Sequence, residues 1–436
     1  MTYEKTLNFL YSAAPAFHKM GAAAYKPGLN RSIVLDNLTG NPHRDYRCIH
    51  IAGTNGKGSV SHLLANILKE ARYKVGLYTS PHVVDLCERI RVNGKEIPKQ
   101  YIVDFVKRHY ATVKPLRPSF FELITSLAFE FFHYKKIDIA IVETGLGGRL
   151  DSTNIINPLL SIITNISIDH TQYLGESLSQ IAFEKAGIIK ENVPVLIGEV
   201  NNREVRHVFI DRAKTMHAPL FFAEEIHAMS SSEQLDNGLW RFQSPHYGVL
   251  TNDMPGAFQE KNAQTVLAAL HILQNMRFKI PAKAVKKGFE TAVSATGLMG
   301  RWQQLYNNPL IICDVGHNAG AWKYLGPQLR KCMEHHSTLR MVVGMVNDKK
   351  IDDVLSLMPT GATYYFTQAS VERALPVAQF AGAARQYGLR GDAHDKVEHA
   401  VLTALKDSQP GDMIFIGGST FVVADAIPMF VRTPKN

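Results

Sequence analysis

The sequence has 436 residues, of which 45% are hydrophobic and 20% are charged, as in an ordinary globular protein. This composition excludes intrinsic disorder, collagen and coiled coil, and the length predicts more than one domain. Lys and Arg number 48 against 39 Asp and Glu, so the formal charge of +9 favours anionic partners such as nucleotides, polyacids, nucleic acid or a membrane surface.

The start of the chain and its cysteines predict a cytoplasmic protein. The N-terminal segment lacks a basic stretch followed by an apolar core, so we expect no signal peptide. No apolar run approaches the ~18 residues of a membrane span. No cysteine belongs to a C-x-x-C pair, and all are expected to be free thiols in a reducing compartment: Cys48, Cys87, Cys313 and Cys332.

Residues 46–79 have the pattern of a βαβ unit. The run YRCIHIAG predicts a buried strand, a glycine-rich turn follows it, and KVGLYTS predicts a second strand. Between them, apolar residues recur at helical spacing: Val60, Leu63, Leu64, Ile67 and Leu68. A strand, a glycine turn, a helix and a strand in this order predict a parallel sheet.

The alternation of strands and helices continues along the chain. Residues 121–134 predict a long apolar helix, 137–145 a strand that runs into a glycine-rich loop, and 158–170 another strand that ends in polar residues. The stretch 203–255 has weaker periodicity. It predicts a strand-rich excursion or an edge of the first domain.

After Gly300 the same alternation restarts. Strand-like segments lie at 309–318, 340–346, 363–368 and 412–418, and helix-like segments lie at 328–336, 377–388 and 396–408. This pattern predicts a second, smaller α/β domain with its boundary near residues 294–300.

The most specific local feature is a glycine-rich loop between a predicted strand and a predicted helix. It consists of Gly53, Thr54, Asn55, Gly56, Lys57, Gly58 and Ser59. Loop N–H groups, a helix N-terminus and a lysine together bind phosphate. Ile51 and Gly58 break the general P-loop pattern, which needs glycine and Ser or Thr at these positions. The strand–loop–helix context still favours nucleotide binding over a tight turn with a chance lysine.

Glu143 lies where the apolar run in 137–145 gives way to the glycine-rich loop, and it is a candidate metal ligand. A P-loop enzyme needs a carboxylate for Mg²⁺ at the end of a neighbouring strand, where α/β sheets bind their ligands. The alternative is a solvated glutamate at a strand end. The phosphate loop upstream favours the metal site.

The motifs, in their order along the chain, resemble those of the Mur ligase superfamily, and most closely its folate branch, folylpolyglutamate synthase and dihydrofolate synthase. The matching segments are GTNGKGS, YTSPH, ERIRVNG, ETGLGGRLDSTN, SIDHTQYLG, FEKAGIIK, GRW and DVGHN. The resemblance spans nearly the whole chain. The Gly58 that breaks the general P-loop pattern is the form that this branch uses.

The resemblance implies an α/β fold with two domains. A P-loop parallel-sheet ATPase domain, the Mur-ligase-like central domain, would occupy residues 1–298. A smaller, Rossmann-like α/β ligase domain would occupy residues 299–436. ATP is expected to bind between the domains, and the protein is expected to be a monomer.

The resemblance also implies the residues that hold ATP and two Mg²⁺ ions. Residues 55–59 would hold the triphosphate, with Lys57 on the transferring phosphate. Ser80 and Glu143 would bind one Mg²⁺; His170 would bind the second, together with a carbamylated Lys185. A carbamate has anionic oxygens that suit a hard metal ion. From the residues alone, Lys185 also fits a solvated position on an amphipathic helix.

Further nucleotide contacts are implied for Asn262, Arg301 and Asp314. His317 matches a family histidine near the amino-acid site and is a candidate catalytic residue. For the incoming glutamate, Arg91 and Lys349 are candidates by charge only.

A pterin site is implied by three residues of the folate branch. Phe121 would stack on the pteridine ring, although a core position is the default for a phenylalanine in so apolar a helix. Ser119 and Asp151 match positions of the pterin site of the bifunctional enzymes, and a carboxylate can accept paired hydrogen bonds from an amino-pyrimidine. The segment 25–27 would border this site.

The implied reaction is the ATP-dependent addition of L-glutamate to dihydropteroate and to reduced folates through an acyl phosphate. Alternatives are folylpolyglutamate synthase activity alone or another Mur-type amino-acid ligase. A peptidoglycan-precursor ligase is disfavoured because only about fifty residues precede the loop. A nucleic-acid P-loop NTPase is disfavoured because basic residues form no long run. A non-catalytic nucleotide-binding module would not need the set Lys57, Glu143, His170 and Lys185.

Overall fold

The computed structural model describes residues 1–13, 28–235, 238–347 and 351–430. The segment 25–27 and Lys349 therefore lie outside the described residues. The chain divides into two compact units. Unit 1 consists of Met1–Asp253 and Gln259–Leu298, and unit 2 of Met254–Phe258 and Met299–Asn436. The short segment Met254–Phe258 belongs to unit 2, although it precedes residue 299. The functional division into an ATPase domain and a ligase domain stays a prediction.

An eight-stranded, mostly parallel sheet organises unit 1. Its strands are β1 (Arg47–Ala52), β2 (Val75–Tyr78), β3 (Ile90–Val92), β4 (Lys95–Glu96), β5 (Ile139–Glu143), β6 (Leu160–Asn165), β7 (Val195–Glu199) and β8 (Leu220–Phe222). They lie in the order β4-β3-β2-β5-β1-β6-β7-β8. Only β3 and β4 pair antiparallel, at one edge. Every residue of β2 and β5 is buried, as expected for a parallel sheet covered on both faces.

Eleven described helices belong to unit 1. They are α1 (Tyr3–Ala13), α2 (Asn30–Leu38), α3 (Lys57–Glu70), α4 (Lys99–Leu116), α5 (Phe120–Lys135), α6 (Thr171–Leu174), α7 (Leu178–Ala186), α8 (Arg203–Thr215), α9 (Gln259–Asn275), α10 (Ala282–Glu290) and α11 (Ala292–Thr296). Buried side chains of α4 and α5 pack with β5 in one core, and those of α7 and α8 pack with β6 and β7 in another. The predicted helix at 121–134 corresponds to α5.

The stretch 203–255 contains both of the predicted alternatives, after a helix that the sequence analysis missed. That helix is α8, which begins where the Asn202 side chain accepts a hydrogen bond from the N–H of Val205 at 3.0 Å. The edge strand β8 follows. Three strands then form a separate antiparallel sheet: β9 (Ser231–Gln234), β10 (Trp240–Ser244) and β11 (Gly248–Asn252).

Unit 2 contains a six-stranded sheet and its own core. The strands are β12 (Gln303–Asn307), β13 (Leu310–Asp314), β14 (Leu339–Val343), β15 (Thr363–Thr367), β16 (Arg390–His394) and β17 (Met413–Gly417), in the order β12-β13-β17-β14-β15-β16. The described helices are α12 (Ala319–His335), α13 (Ile351–Leu355), α14 (Val377–Gln386), α15 (Val397–Asp407) and α16 (Thr420–Ala426). All pairs are parallel except β12 with β13. The predicted α/β class is confirmed for both units.

The two edge strands of unit 2, β12 and β16, escaped the sequence analysis. Neither contains a buried residue, because an edge strand contacts only one neighbour and here carries polar side chains. The four cysteines form no disulfide, as predicted. Among the helices of the described residues, none is both long enough and apolar enough to cross a membrane.

Candidate functional site

The phosphate loop joins β1 to α3 and is held by the end of the neighbouring strand β6. The N–H of Thr54 donates to the main-chain carbonyl of Asn165 at 3.0 Å, and the N–H of Asn55 donates to the side-chain oxygen of Asn165 at 2.8 Å. The hydroxyl of Thr164 donates to the carbonyl of Asn55 at 2.6 Å. Gly56 precedes the helix in a left-handed conformation, with φ of 84°. The loop therefore wraps the N-terminus of α3, where an anion is stabilised.

Two glycines of the loop are required because other chain segments approach them closely. A Cβ atom on Gly53 would lie 1.9 Å from Oγ1 of Thr164, and one on Gly56 would lie 2.3 Å from Oδ1 of Asn262. The contact brings Asn262, on α9, to the loop; its role as a nucleotide contact stays a prediction. The amide of Asn262 donates to Gln259 at 2.9 Å.

Gln259 is a loop neighbour that the sequence analysis missed. Its side-chain nitrogen donates to Oγ of Ser59 at 3.5 Å, and only 1% of the residue is exposed. The available signal was its position three residues before Asn262, on the same face of a helix.

Lys57 and Glu143 meet at the carboxyl end of the sheet. The Nζ atom of Lys57 donates to the carbonyls of Gly53 at 3.1 Å and Thr54 at 3.3 Å, and it lies 4.0 Å from a carboxylate oxygen of Glu143. Glu143 is 3% exposed, so water screens this pair weakly. The structure thus places a buried carboxylate beside the lysine of the phosphate loop.

Ser80 lies next to the same carboxylate. Strands β2 and β5 are parallel neighbours, so the residues that follow them reach the same end of the sheet. The N–H of Ser80 donates to Glu143 at 3.2 Å. Both residues implied as ligands of the first Mg²⁺ are therefore adjacent, and both carry oxygen donors, which this ion prefers.

Lys185 reaches the phosphate loop from α7. Its Nζ atom donates to the carbonyl of Gly53 at 2.8 Å, so it shares this oxygen with Lys57. Lys185 is 4% exposed. Burial, followed by the positive charge of Lys57, lowers the pKa of Lys185 to about 7. A substantial fraction of this amine is therefore uncharged near neutral pH, which is the reactive form toward carbon dioxide.

His170 precedes α6, with a φ of 51°. Its N–H donates to the side chain of Asp169 at 2.9 Å, and its Nε2 lies 3.9 Å from the other carboxylate oxygen. The N–H of Ser167, in the same loop, donates to the hydroxyl of Thr54 at 3.1 Å. The negative charge of Asp169 opposes the lowering of the pKa of Lys185. Asp169, which the sequence analysis did not single out, therefore belongs to this group.

Phe121 and Ser119 lie at the start of α5. Ser119 caps this helix: its Oγ accepts from the N–H of Glu122 at 3.2 Å. The Phe121 ring stacks on Tyr78, with 5.8 Å between the ring centres and 23° between the planes. A Cβ atom on Gly145 would lie 2.6 Å from the Phe121 ring. Phe121 is partly exposed, so it is not a sealed core residue; its contact with a pterin stays a prediction.

Asp151 organises the loop that follows β5. One carboxylate oxygen accepts from the N–H groups of Gly145 at 2.9 Å and Leu146 at 2.8 Å. The other accepts from the N–H of Thr153 at 3.0 Å and its hydroxyl at 2.5 Å. A carboxylate has about four acceptor positions. All four are used within this loop, so Asp151 also holds the loop together; its pterin contact stays a prediction.

Three candidate residues of unit 2 surround the carboxyl end of β13. Asp314 is 2% exposed and accepts from the N–H groups of Trp302 and Gly316, both at 2.7 Å. Burial raises its pKa, and the positive charge of Arg301 opposes this shift. The Nδ1 atom of His317 lies 3.0 Å from a main-chain carbonyl two residues earlier. Their roles toward nucleotide and amino acid stay predictions.

Arg91, a candidate for glutamate binding by charge, has a structural role instead. Its guanidinium contacts Glu96 at 2.8 Å and donates to the main-chain carbonyls of Glu88, Gly94 and Gly297 at 3.2–3.5 Å. These contacts connect β3 to β4, which contains Glu96, and to the main chain at Gly297.

Comparison with protein families identifies two matching regions. The family described as Mur ligase middle domain matches residues 51–270, and the one described as Mur ligase, glutamate ligase domain matches residues 300–420. The first match contains the phosphate loop with Glu143 and Lys185. The second contains Arg301 and Asp314.

Individual proteins with the same organisation are also similar to this chain. It is 32% identical to the dihydrofolate synthase/folylpolyglutamate synthase of Bacillus subtilis, over 80% of this chain and 84% of that protein. FolC from Escherichia coli in complex with DHPP and ADP has a TM-score of 0.82 and 29% identity, over 98% and 97% of the two chains. The bifunctional folylpolyglutamate synthase/dihydrofolate synthase of Yersinia pestis, complexed with AMPPNP and Mn, has a TM-score of 0.79 and 27% identity, over 98% of each.

Proposed function

Because this chain belongs to the Mur ligase superfamily, in its folylpolyglutamate synthase and dihydrofolate synthase branch, we propose that the residues around its phosphate loop catalyse the ATP-dependent ligation of L-glutamate to folates. One observation carries the proposal. The carbonyl of Gly53 accepts hydrogen bonds from both Lys57 and Lys185, and Lys57 lies 4.0 Å from Glu143. A phosphate-binding loop, a buried carboxylate and a buried amine thus meet at one point.

The acceptors are dihydropteroate, which gives dihydrofolate, and reduced folates, whose glutamate tail is extended. The similarity to enzymes named for both activities supports this bifunctional assignment. The alternative within the family is tail extension alone. Another Mur-type ligase is less well supported, since these relatives are folate enzymes.

The first step activates a carboxylate of the acceptor. Its oxygen attacks the γ-phosphorus of ATP, the bond to the β,γ-bridging oxygen breaks, and the products are an acyl phosphate and ADP. Lys57 and the N–H groups at the start of α3 stabilise the negative charge on the transferring phosphoryl group. Asn262 lies at Gly56 and is a proposed nucleotide contact.

In the second step the α-amine of L-glutamate attacks the carbonyl carbon of the acyl phosphate. The amide bond forms, the C–O bond to phosphate breaks, and the amine loses a proton. Inorganic phosphate is a far better leaving group than the oxide of the free carboxylate. In sum, one ATP is converted to ADP and inorganic phosphate for each glutamate joined.

A divalent metal ion fits the donors at the carboxyl end of β5. Glu143 and Ser80 offer oxygens, which suit Mg²⁺ or Mn²⁺. When bound, such an ion neutralises charge on the phosphate oxygens. His170 offers a nitrogen, a less common donor for Mg²⁺, and its assignment to a second ion stays a prediction.

We also propose that Lys185 is carbamylated. The uncharged amine attacks carbon dioxide, forms an N–C bond and releases a proton, which leaves an anionic carbamate. The lowered pKa of Lys185 and the hydrogen bond of its Nζ atom to the carbonyl of Gly53 support this proposal. A carbamate in place of an ammonium group also removes the repulsion between Lys185 and Lys57.

The test is an ADP-release assay with purified protein. Dihydropteroate and tetrahydrofolate are compared, each with and without L-glutamate. We expect acceptor- and glutamate-dependent ADP release, a fall of at least a hundredfold in Lys57→Ala, and little change in Lys69→Ala on the same helix. Release of ADP without either substrate, or normal turnover in Lys57→Ala, would contradict the assignment. Glutamate-dependent activity with tetrahydrofolate but not with dihydropteroate would favour an enzyme that only extends the glutamate tail.

The monomeric state, the cytoplasmic location and the absence of nucleic-acid and membrane partners stay predictions. The proposed reaction uses only small anionic substrates, in agreement with the net charge of +9.

A further inference from the structure

Arg89 lies beside the proposed metal site without having been singled out by the sequence analysis. It ends a short 3₁₀ turn, Leu86–Arg89, that leads into β3. Its carbonyl accepts from the N–H of Thr79 at 2.9 Å, and Thr79 precedes Ser80, which contacts Glu143. The backbone therefore fixes Arg89 at the carboxyl end of β2, next to the phosphate-binding end of the sheet.

The guanidinium of Arg89 is buried but only partly satisfied. The residue is 3% exposed, its Nε donates to Nδ1 of His82 at 2.7 Å, and its Cζ lies 5.4 Å from the centre of the Phe120 ring. Within the part of the chain that the structure describes, the two terminal nitrogens donate no hydrogen bond and form no ion pair within 4.0 Å. Burial lowers the pKa of this guanidinium, and the charges of neighbouring groups, Glu143 among them, oppose the shift.

A buried charge with unused donors is unfavourable unless a partner supplies acceptors. The two terminal nitrogens of an arginine carry four N–H groups in a planar fork, which matches the two oxygens of a carboxylate. Such a group is consistent with a site whose partner arrives with the substrate.

The neighbouring Arg91 shows that a buried arginine in this motif can find acceptors within the protein. Arg91 is 6% exposed, similar to Arg89, but it contacts Glu96 and three main-chain carbonyls. Two buried arginines in one motif thus differ in their partners: among the described residues, the terminal nitrogens of Arg91 have acceptors, whereas Arg89 donates only through Nε.

The surroundings indicate which anion Arg89 would bind. Under the proposed function, Lys57 and the N–H groups of the loop bind the phosphates, so the anion at Arg89 is a different one. On the other side, Phe120 lies under the guanidinium, and the adjacent Phe121 stacks on Tyr78 with a partly exposed ring. An aromatic molecule with a carboxylate satisfies both features, since the ring can contact Phe121 and the anion can reach Arg89.

We propose that Arg89 binds the carboxylate of the folate acceptor that is to be phosphorylated, and so holds it for attack on the γ-phosphate. The inference rests on the proposed function for the identity of the acceptor. Neutralisation of the carboxylate also reduces its repulsion from the triphosphate, and a fixed position lowers the entropy lost on the way to the transition state.

The experiment measures binding without turnover. The affinities of dihydropteroate and of its decarboxylated analogue are determined by calorimetry in the absence of ATP, for the wild type, Arg89→Gln and Arg91→Gln. We expect the wild type to prefer the carboxylate-bearing ligand at least tenfold, Arg89→Gln to lose this preference, and Arg91→Gln to keep it. Affinity for an ATP analogue should change less than twofold in Arg89→Gln.

An equal loss of affinity for both ligands in Arg89→Gln would show a structural role and overturn the proposal. An unchanged preference of Arg89→Gln for the carboxylate-bearing ligand would also overturn it. If Arg89→Gln does not fold, Arg89→Lys keeps the charge without the fork, and a reduction of the preference at least threefold is then the expected result. A wild type that prefers the carboxylate but never releases ADP with glutamate would contradict the proposed function, whereas binding of a carboxylate by Arg89 would still hold.

Discussion

At the scale of single residues, the site depends on how polar groups share a few backbone atoms. The carbonyl of Gly53 accepts from both Lys57 and Lys185, so two amines are held close together with little water around them. Two ammonium groups in this arrangement repel each other. The lowered pKa of Lys185 relieves the repulsion, because the buried member of the pair gives up its proton more readily.

We predict that carbamate forms selectively on Lys185. Protein equilibrated with ¹³C-labelled bicarbonate at pH 7.5 should show a carbamate carbon resonance, since about half or more of this amine is uncharged there. The signal should disappear in Lys185→Ala and fall as the pH drops below 7. The signal should persist in the control variant Lys190→Ala. Lys190 is a half-buried lysine whose Nζ donates to the carbonyl of Asn154. A signal that survives in Lys185→Ala would assign the carbamate to another amine.

The residues of the site differ in how far sequence could predict them. Lys57, Glu143 and Lys185 stand in recognisable motifs, and the structure brings them together. Asp169 and Arg89 stand in the same motifs but drew no attention, because an acid beside a histidine or one arginine of two has no distinctive pattern. Their significance depends on burial and on partners far along the chain.

At the scale of elements, the phosphate loop is defined by the contacts of β6 and α9 with the β1–α3 connection. The helix N-terminus is useful for anion binding only if the loop stays in its left-handed turn at Gly56. That turn is enclosed by Asn262, whose side chain occupies the space where a Cβ atom would stand.

We predict that Gly56→Ala weakens nucleotide binding at least tenfold. The new methyl group must displace Asn262, and the left-handed backbone adds about 1 kcal/mol of strain. Binding of a fluorescent ATP analogue and urea unfolding measure the two effects.

The matched control is Gly248→Ala. Gly248 has a φ of 71° with no atom within 4 Å of its Cβ position, so it carries the same backbone strain without a steric clash. We expect both variants to lose stability through backbone strain, Gly56→Ala more because of the added clash, and normal nucleotide affinity only in Gly248→Ala. Equal affinities in the two would show that Asn262 does not shape the loop.

At the scale of the whole molecule, the two units have separate sheets and cores, and a buried histidine links the stability of unit 1 to pH. His50, in β1, is fully buried, and its Nε2 lies 2.8 Å from the hydroxyl of Thr153. Because this hydroxyl donates its own proton to Asp151, Nε2 of His50 is the donor to Thr153. Burial, with a smaller effect of Lys190, lowers the pKa of His50 to about 3. The folded state thus keeps this imidazole neutral at pH values where the unfolded chain protonates it.

We predict that His50 makes unit 1 less stable as the pH falls from about 6.5 to 3. In this window the unfolded state binds one proton more than the folded state, so the free energy of unfolding drops by at most ~1.4 kcal/mol per pH unit. His50→Gln keeps a donor toward Thr153 but has no titration. Urea unfolding at pH 7.5 and pH 5.5 should show a smaller acid loss for His50→Gln than for the wild type. Identical losses would exclude His50 as the group responsible.

The amino-acid sequence by itself determined the α/β class, the phosphate loop and the family, because these depend on hydrophobic periodicity and on motifs that lie within short segments. Strand positions such as β1 and β5 followed from buried apolar runs. The polar edge strands β12 and β16 did not, since pairing with a neighbour leaves no mark in local composition.

Only the tertiary structure decided which polar groups are already satisfied. Arg89 and Arg91 are arginines two positions apart in one motif, yet they have different partners, and the carboxylate of Asp151 accepts from its own loop. Whether a donor or acceptor is available to a substrate depends on burial and on groups that are distant in sequence, such as Gly297 for Arg91. A linear pattern contains the chemical groups of a site, whereas folding determines which of them remain available for the reaction.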